Sequence, residues 1–217
     1  MSIKLGTLLF EPIEGHAELL VAAVALAIKN LPGVEDVGVA AIDPSLSDTV
    51  AFCEHYQLPS EQAANCVIVE GEKRTFGASN DLASSFESEA NQKSRKVYGA
   101  CKARRGEERT MAACVILAST RADVNGVVRR QIDAKKVSFA QMEKAVEESG
   151  MEYGAITPIG LPADWRILVD KAVADLDYVV IGSGVRGSKL AVPGSLLASL
   201  PNVSVIEGLA KPRTENT

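Results

Sequence analysis

Two glycine-containing segments in the C-terminal third are the part of this sequence best suited to bind a ligand through main-chain groups. Residues 150–160 contain three glycines and Pro158, and residues 182–187 contain three more glycines directly after the apolar run 176–181. Glycine lets another group approach the main chain closely, and proline fixes one backbone torsion and removes one N–H. Two stiff loops of this kind predict a shared pocket whose walls are main-chain amides and carbonyls.

Side chains that could act as nucleophiles, as acid–base pairs or as metal ligands are sparse. The two histidines, His16 and His55, both lie in the first quarter, and no G-x-S-x-G motif is followed by a histidine. A Ser-His-Asp triad stays open, because chain order alone does not exclude one. The four cysteines form no C-x-x-C pair, which is typical of reduced intracellular thiols. We therefore predict neither a metal nor a cofactor.

Residues 182–187 also match G-x-G-x-x-G, the pattern of dinucleotide-binding loops, and Glu207 lies twenty residues beyond them. In such loops a helix begins inside the motif, after a strand. Here Pro193 and Gly194 lie beyond the motif, and only about fifteen residues separate it from the next predicted strand. That length is too short for a comfortable crossover between parallel strands, so the sequence argues against NAD or FAD.

The composition is that of a globular protein with an ordinary core. Of 217 residues, 47% are hydrophobic and 24% charged, and the net charge is −5, which argues against general affinity for DNA or other nucleic acid. Seven lysines and arginines nevertheless cluster in residues 93–109; this stretch could dock a phosphate backbone or be a solvated segment. The longest apolar run, 19–28, is too short to span a bilayer. Without a signal peptide, a cytoplasmic location and no membrane partner are expected.

Hydrophobic patterns interleave helices and strands without the regular spacing of a doubly wound sheet. This favours an α+β fold with a mixed sheet, in one domain over residues 1–212. We predict an insertion at about 71–106 and a disordered tail at 213–217. Predicted helices span 16–31, 48–56, 123–132, 140–149 and 195–200; predicted strands span 34–42, 66–70, 109–119, 176–181 and 203–206; and 135–139 is a connector.

Three blocks carry a resemblance to a known family. They are G-A-I-T-P-I-G at 154–160, L-V-D at 168–170 and V-I-G-S-G-V-R-G at 180–187. In order and spacing they resemble the YbaK/EbsC family, which includes the prolyl-tRNA synthetase editing domain and free-standing relatives. The resemblance covers roughly residues 34–70 and 107–209. It implies a mixed, partly barrel-like sheet flanked by helices, and hydrolysis of the ester that joins a wrong amino acid to the tRNA 3′ end.

The resemblance also implies site residues and partners. The partner would be the acceptor end of an aminoacyl-tRNA, and an aminoacyl-tRNA synthetase is a further candidate. The residues carried over are Gly154, Ala155 and Asp170 as catalytic positions, and Asn65, Ile156, Thr157, Pro158, Gly182, Ser183, Gly184 and Arg186 as substrate-binding positions.

Two positions depart from the family pattern. Asn65 stands where the family commonly has a lysine, and Ala155 stands where the loop commonly has a second glycine. Lys73 or a basic residue of the predicted insertion is a candidate to supply the missing charge. Two hypotheses follow: a free-standing deacylase for small mischarged amino acids, or a non-catalytic tRNA- or ligand-binding protein of the same fold.

Overall fold

The computed structural model describes residues 2–73 and 109–213, and all structural statements below refer to them. The strands are β1 (Ile3–Leu5), β2 (Leu8–Pro12), β3 (Gly38–Ala41), β4 (Ala64–Lys73), β5 (Arg109–Leu117), β6 (Thr120–Ala122), β7 (Ala134–Phe139), β8 (Arg166–Asp170), β9 (Val179–Gly182), β10 (Ser188–Val192), β11 (Val203–Ile206) and β12 (Ala210–Pro212). The helices are α1 (Ala22–Lys29), α2 (Thr49–His55), α3 (Arg129–Gln131), α4 (Met142–Ser149), α5 (Lys171–Ala174) and α6 (Gly194–Ala198).

The strands form two five-stranded sheets and a small pair. The first sheet has the order β1-β2-β3-β10-β9, the second has the order β11-β8-β5-β4-β7, and β12 pairs with β6. In the second sheet β5, β8 and β11 run parallel while β4 is antiparallel to both of its neighbours. A bridge between Ala63 and Val180 joins the two sheets at β4 and β9. The predicted α+β fold, with a mixed and curled, half-barrel sheet flanked by helices, is confirmed.

Helices α1, α5 and α6 cover the inner faces of both sheets. Val24 of α1, Val173 of α5 and Leu197 of α6 are fully buried in one cluster with strand residues such as Val169 and Ile181. A second group, around Trp165, packs α4 against β4 and β5. These packed helices make the two sheets a rigid support for the loops between them. No helix in the described ranges is long and apolar enough to cross a membrane.

Several predicted elements are confirmed. The predicted strands 66–70 and 109–119 are β4 and β5, which pair antiparallel with Val67 opposite Cys114. Helix α4 ends at Gly150, whose φ of +66° is the left-handed conformation that glycine adopts without strain. The predicted strand 203–206 is β11.

Other predictions need correction. Residues 134–139 are not a connector but strand β7, and β10 was not predicted at all. The predicted helix 140–149 is α4, which begins two residues later, at Met142, after the N-cap residue Gln141. The predicted helix 16–31 is a short 3₁₀ turn followed by α1.

The boundaries of the predicted insertion also change. Gly71, Glu72 and Lys73 continue β4 and pair with β5 or β7, so they do not belong to an insertion. Residues 74–108, with most of the basic stretch, and the tail residues 214–217 lie outside the described residues. Arg213, predicted as part of the tail, donates its N–H to the carbonyl of Ser119 at 3.2 Å.

Candidate functional site

The two glycine loops lie side by side, as the sequence predicted. The N–H of Gly184 donates to the Ala155 carbonyl at 2.9 Å, and the N–H of Glu152 donates to the Gly184 carbonyl at 2.8 Å. The Glu152 carboxylate accepts the main-chain N–H of Arg186 at 2.6 Å. Three hydrogen bonds therefore hold residues 152–155 against residues 184–186.

Gly182 and Gly184 are needed for this contact because a side chain would occupy space that neighbours fill. A Cβ on Gly182 would lie 2.4 Å from the Ala155 carbonyl oxygen and 3.0 Å from that of Ile156. Gly184 has a φ of +90°, and a Cβ there would lie 2.6 Å from Val21 of the chain just before α1. The glycines thus serve close main-chain packing, which is one of the two uses that glycine has in such loops.

The loops open on a cavity of about 580 Å³ between the two sheets. This volume is in the range of small-molecule sites. The strands β4, β9 and β10, the start of α2 and helix α4 supply its walls. Its lining includes Gly154, Ile156, Gly182 and Arg186 from the two loops, Asn65, Cys66 and Ile68 from β4, Ser47, Asp48 and Thr49 before and at the start of α2, and Phe139, Met142, Tyr153 and Lys189.

A larger groove of about 840 Å³ lies beside this cavity and shares Met142, Tyr153 and Arg186 with it. Its walls are mainly side chains of α4 and the 185–187 loop, and three glutamates, Glu18, Glu143 and Glu152, also line it. We assign the site to the smaller cavity, since the main-chain loops and the buried polar groups meet there.

Three main-chain amides of the first loop, all in the cavity wall, have no acceptor among the described residues. Residues 152–155 form a turn in which Ala155 donates its N–H to the Glu152 carbonyl at 3.0 Å. The N–H groups of Tyr153, Gly154 and Ile156, which all line the cavity, donate to no residue in the described ranges. The amide of Ala155 is therefore engaged, and the unbonded donors are on its two neighbours and on Tyr153.

Other predicted site residues are buried parts of the loop framework. Thr157 is fully buried, its N–H contacts the Met151 sulfur at 3.4 Å, and its hydroxyl has no partner among the described residues. The Ser183 hydroxyl is also buried and is bonded to Val185 and Ser188. Neither Thr157, Pro158 nor Ser183 lines the cavity, so the structure does not place them in contact with a ligand there.

Asp170 lies away from the cavity. One carboxylate oxygen accepts the N–H of Ala172 at 2.9 Å and so caps α5, while the other accepts the N–H of Ala210 at 2.8 Å. Because both oxygens are committed to main-chain donors, the geometry gives Asp170 a structural place instead of the catalytic one carried over from the family.

Asn65 and Arg186 both line the cavity, and their contact with a substrate stays a prediction. The Asn65 side-chain oxygen accepts a hydrogen bond from the Thr49 hydroxyl at 2.6 Å. The guanidinium of Arg186 donates to the Pro44 carbonyl at 3.3 Å, which holds it against the turn before α2. Asn65 thus contributes an amide, not a charge, to the β4 wall of the site.

Lys189 is the site residue that sequence reasoning missed. It lies on β10, is only 6% exposed and lines the cavity. Its ammonium group donates to the Ser47 carbonyl at 3.1 Å and lies 5.3 Å from the centroid of the Phe52 ring. Burial lowers the pKa of the Lys189 ammonium group. The signal in the sequence was a lone lysine directly before the apolar run Leu190–Val192, just after the second glycine loop.

The described residues offer no activated nucleophile in this cavity. Burial raises the pKa of Cys66, the one thiol in the cavity lining, so the reactive thiolate is scarce near neutral pH. Burial also raises the pKa of the neighbouring Cys114 to about 12. No group of three or more histidine, cysteine or carboxylate side chains in residues 2–73 and 109–213 could hold a metal ion. The chemistry that this cavity offers is main-chain hydrogen bonding plus one buried cation.

Comparison with known proteins gives a consistent family. Residues 78–200 match the model of the aminoacyl-tRNA editing domain, a range that begins inside the predicted insertion. A 76-residue segment is 33% identical to the proline–tRNA ligases of Listeria welshimeri and Listeria monocytogenes, covering 34% of this chain. The match spans only 13% of each ligase.

Solved structures share the fold at low sequence identity. A candidate trans-editing enzyme for prolyl tRNA synthetase superposes with a TM-score of 0.59 at 12% identity, over 87% of this chain and 97% of that one. A hypothetical protein superposes with a TM-score of 0.57 at 14% identity, over 80% of this chain and 90% of that one.

Proposed function

The chain belongs to the YbaK-type aminoacyl-tRNA editing domain family, and we propose that it hydrolyses the ester of a mischarged aminoacyl-tRNA, releasing a small amino acid from the 3′ end. The observation that carries this proposal is the pair of unengaged amides on Gly154 and Ile156, in the wall of a cavity that also holds Arg186 and Asn65. We also propose the cytoplasm, where translation uses charged tRNA, as the place of action.

The reaction suits a site without a side-chain nucleophile. Water adds to the ester carbonyl carbon, the carbonyl oxygen becomes an oxyanion, and collapse of this intermediate breaks the bond to the ribose oxygen. The products are the free amino acid and a tRNA with its terminal hydroxyl restored, the hydroxyl proton coming from the attacking water. Fixed N–H donors aimed at the oxyanion lower the barrier, and each is typically worth about 10²–10³ in kcat. The amides of Gly154 and Ile156 would fill this role.

The mouth of the cavity suits an unpaired 3′ end. Phe139 and Tyr153 both line the cavity and are 67% and 61% exposed, and Met142 beside them is also exposed. Exposing large apolar side chains to water is unfavourable, and such exposed groups often mark a surface that binds a partner. Single-stranded bases stack on aromatic side chains with about 1–3 kcal/mol per base, so we assign Phe139 and Tyr153 to the bases of the acceptor end.

The relatives suggest where to look for the substrate. Because the sequence relatives are proline–tRNA ligases and one structural relative is a candidate editing enzyme for prolyl tRNA synthetase, we propose tRNA for proline as the first adaptor to test and a prolyl-tRNA synthetase as a candidate partner. Misacylation with a residue smaller than proline would then be the target.

The test is a deacylation panel with purified protein. Proline tRNA charged with alanine, serine, cysteine or proline, and a few other mischarged tRNAs, are incubated with and without the protein. We expect release of at least one small amino acid well above the buffer rate, with the cognate prolyl ester spared. No release above buffer across the panel would remove the hydrolase function. Saturable, salt-sensitive tRNA binding in that case would identify a non-catalytic binding protein of this fold.

A main-chain substitution tests the amides directly. Replacing Ile156 with the corresponding α-hydroxy acid removes its N–H but keeps the side chain. We expect kcat to fall by about 10²-fold or more and the melting temperature to fall only slightly, since the main-chain ester also weakens the Ala155 carbonyl that accepts from Gly184. The matched control is the same change at Ala155, whose N–H is bonded to Glu152; there the loss should appear mainly in stability. Equal effects on kcat at both positions would contradict the assigned role of Ile156.

A further inference from the structure

Lys189 is a buried cation that has no counter-ion among the described residues. No carboxylate in the described ranges lies within salt-bridge distance of its ammonium group. The nearby acid, Asp48, instead accepts the N–H groups of Val50 and Ala51 as the cap of α2. Of the three donors that an ammonium carries, one is used by the Ser47 carbonyl. A buried lysine usually needs a partner or a function, because burial of an unpaired charge is costly.

The position of Lys189 ties it to the two glycine loops. On the antiparallel pair β9–β10, Lys189 lies directly opposite Gly182, and opposed residues point to the same face of a sheet. The face of Gly182 on which a Cβ would stand is occupied by the carbonyls of Ala155 and Ile156. The Lys189 side chain therefore leaves the sheet beside the loop that carries the free amides.

We propose that the Lys189 ammonium group binds an anionic oxygen of the aminoacylated 3′ end, and so supplies from β10 the positive charge that Asn65 does not supply from β4. This inference rests on the proposed function. The anionic oxygen belongs either to the phosphate of the terminal nucleotide or to the oxyanion that forms at the ester carbonyl. In both cases Lys189 acts as a substrate-contacting cation, while the Asn65 amide stays bonded to Thr49 at the start of α2.

The experiment compares Lys189→Met with wild type, with Lys189→Arg as the charge-keeping variant. The control is Lys135→Met, which removes an exposed lysine from β7. Kd is measured for a non-hydrolysable, amide-linked aminoacyl-tRNA, and kcat and KM are measured for the hydrolysable ester. We expect Lys189→Met to lose about 10- to 100-fold in Kd or in kcat/KM, as for a lost hydrogen bond to a charged group. We expect partial recovery in Lys189→Arg and no change in the control.

A truncated substrate separates the two oxygen sources. Aminoacyl-adenosine without a 5′ phosphate lacks the terminal phosphate but keeps the ester. If the loss caused by Lys189→Met persists on this substrate and appears in kcat, Lys189 binds the oxyanion. If the loss appears only with tRNA and only in Kd or KM, it binds the phosphate. Both outcomes support the proposal.

The failure of this inference differs from the failure of the proposed function. Folded Lys189→Met protein within twofold of wild type in every assay would overturn the role of Lys189 and leave the hydrolase intact. A wild type that hydrolyses nothing would remove the hydrolase; the binding of the amide-linked analogue would then decide the role of Lys189 by itself.

Discussion

The carboxylate of Asp170 fastens two chain segments that are forty residues apart. It caps α5 through Ala172 and holds Ala210 at the start of β12, and it is almost fully buried. We expect Asp170→Ala to lower the free energy of unfolding by about 1–3 kcal/mol, because two part-buried N–H groups lose their acceptor. Denaturant unfolding gives this value, and kcat/KM measured well below the melting temperature should stay within about twofold of wild type.

Asp170→Asn is the matched variant. Its side-chain oxygen can still accept from Ala172, while its NH₂ group cannot accept from Ala210, so an intermediate loss of stability is expected. A fall in kcat of a hundredfold or more in a variant that remains folded would instead show that Asp170 has a catalytic role.

Sequence patterns identified the loop residues but not which of their main-chain N–H groups are hydrogen-bonded. Gly154 and Gly182 were predictable because a glycine beside a strand signals close main-chain approach. Whether the N–H of Ala155 or that of Ile156 is free depends on one turn hydrogen bond, which residue type does not encode. The role of Asp170 was open at the sequence level for a related reason: a carboxylate after a strand suits a cap as well as a catalyst.

The seating of the first loop on β9 depends on the absence of a side chain at Gly182. In Gly182→Ala the new methyl group would meet the carbonyl oxygen of Ala155 at 2.4 Å, so the loop must move. We expect at least a tenfold loss of kcat/KM and a lower melting temperature, since the hydrogen bond from Gly184 to Ala155 would be strained. Steady-state kinetics and thermal unfolding measure the two effects.

Gly187→Ala is the control within the same loop. Its new methyl group meets only Pro44, at an ordinary contact distance of 3.9 Å, and no positive φ is required. Activity and melting temperature should both remain close to wild type. Equal damage from the two substitutions would contradict the close-approach explanation.

Helix α4 is fixed to the sheet by charge as well as by packing. The buried carboxylate of Glu70 on β4 accepts hydrogen bonds from Lys144 of α4 and from Arg109 of β5. The bond from Lys144, with that from Arg109, holds the pKa of Glu70 below its ordinary value against the opposing effect of burial. This contact sets the position of the helix that brings Met142 and Ala145 to the cavity.

Glu70→Gln should therefore change the acid sensitivity of the fold. A carboxyl with a depressed folded-state pKa contributes stability that is present above its unfolded pKa of about 4.5 and is lost as the pH falls through the folded value. At pH 7 we expect the variant to be about 1–2 kcal/mol less stable, and the difference should shrink below about pH 4.5. Glu148→Gln, which removes an exposed partner of Lys144, should have a much smaller effect at every pH.

Elements with a clear hydrophobic period were predictable, and those defined by their neighbours were not. The β4–β5 hairpin and α4 follow from apolar spacing and from a helix-ending glycine. Strand β7 is an edge strand with four exposed positions. Its polar residues protect the edge from pairing with other chains, and they also weaken the hydrophobic pattern from which a strand is predicted. Strand β10 is fully buried although it begins with a serine and a lysine, and only the hydrogen bonds and the cavity of the folded protein explain those two residues.

The cavity belongs to the molecule as a whole, because it forms where the two sheets meet. Strand β4 of one sheet and strands β9 and β10 of the other face it, and the bridge from Ala63 to Val180 joins the two sheets. Asn65 lies on β4 of one sheet and Lys189 on β10 of the other, so neither sheet alone would bring both to the cavity. The mixed topology, rather than any one motif, brings the amides, the amide side chain and the buried cation together.

The charge of Lys189, buried at this junction, should lower the stability of the fold, and we attribute its presence to the function of the site. Burial lowers the folded-state pKa of Lys189 below 10.5. Between the folded and unfolded pKa values the unfolded chain binds more protons, so the stability of the wild type should rise with pH through that window. In Lys189→Met this rise should be absent. At pH 7 the variant should be at least as stable as wild type, by up to about 1–2 kcal/mol, since an apolar side chain replaces an unpaired buried ion.

Denaturant unfolding of both proteins between pH 7 and 10.5 checks this prediction. The difference should narrow as the pH rises, because the neutral amine no longer carries the cost of burial. Lys135→Met, which removes an exposed charge, should leave the pH dependence of wild type unchanged. A large loss of stability in Lys189→Met at pH 7 would mean that the contacts of the ammonium group with Ser47 and Phe52 hold the sheets together, and that Lys189 is a structural residue.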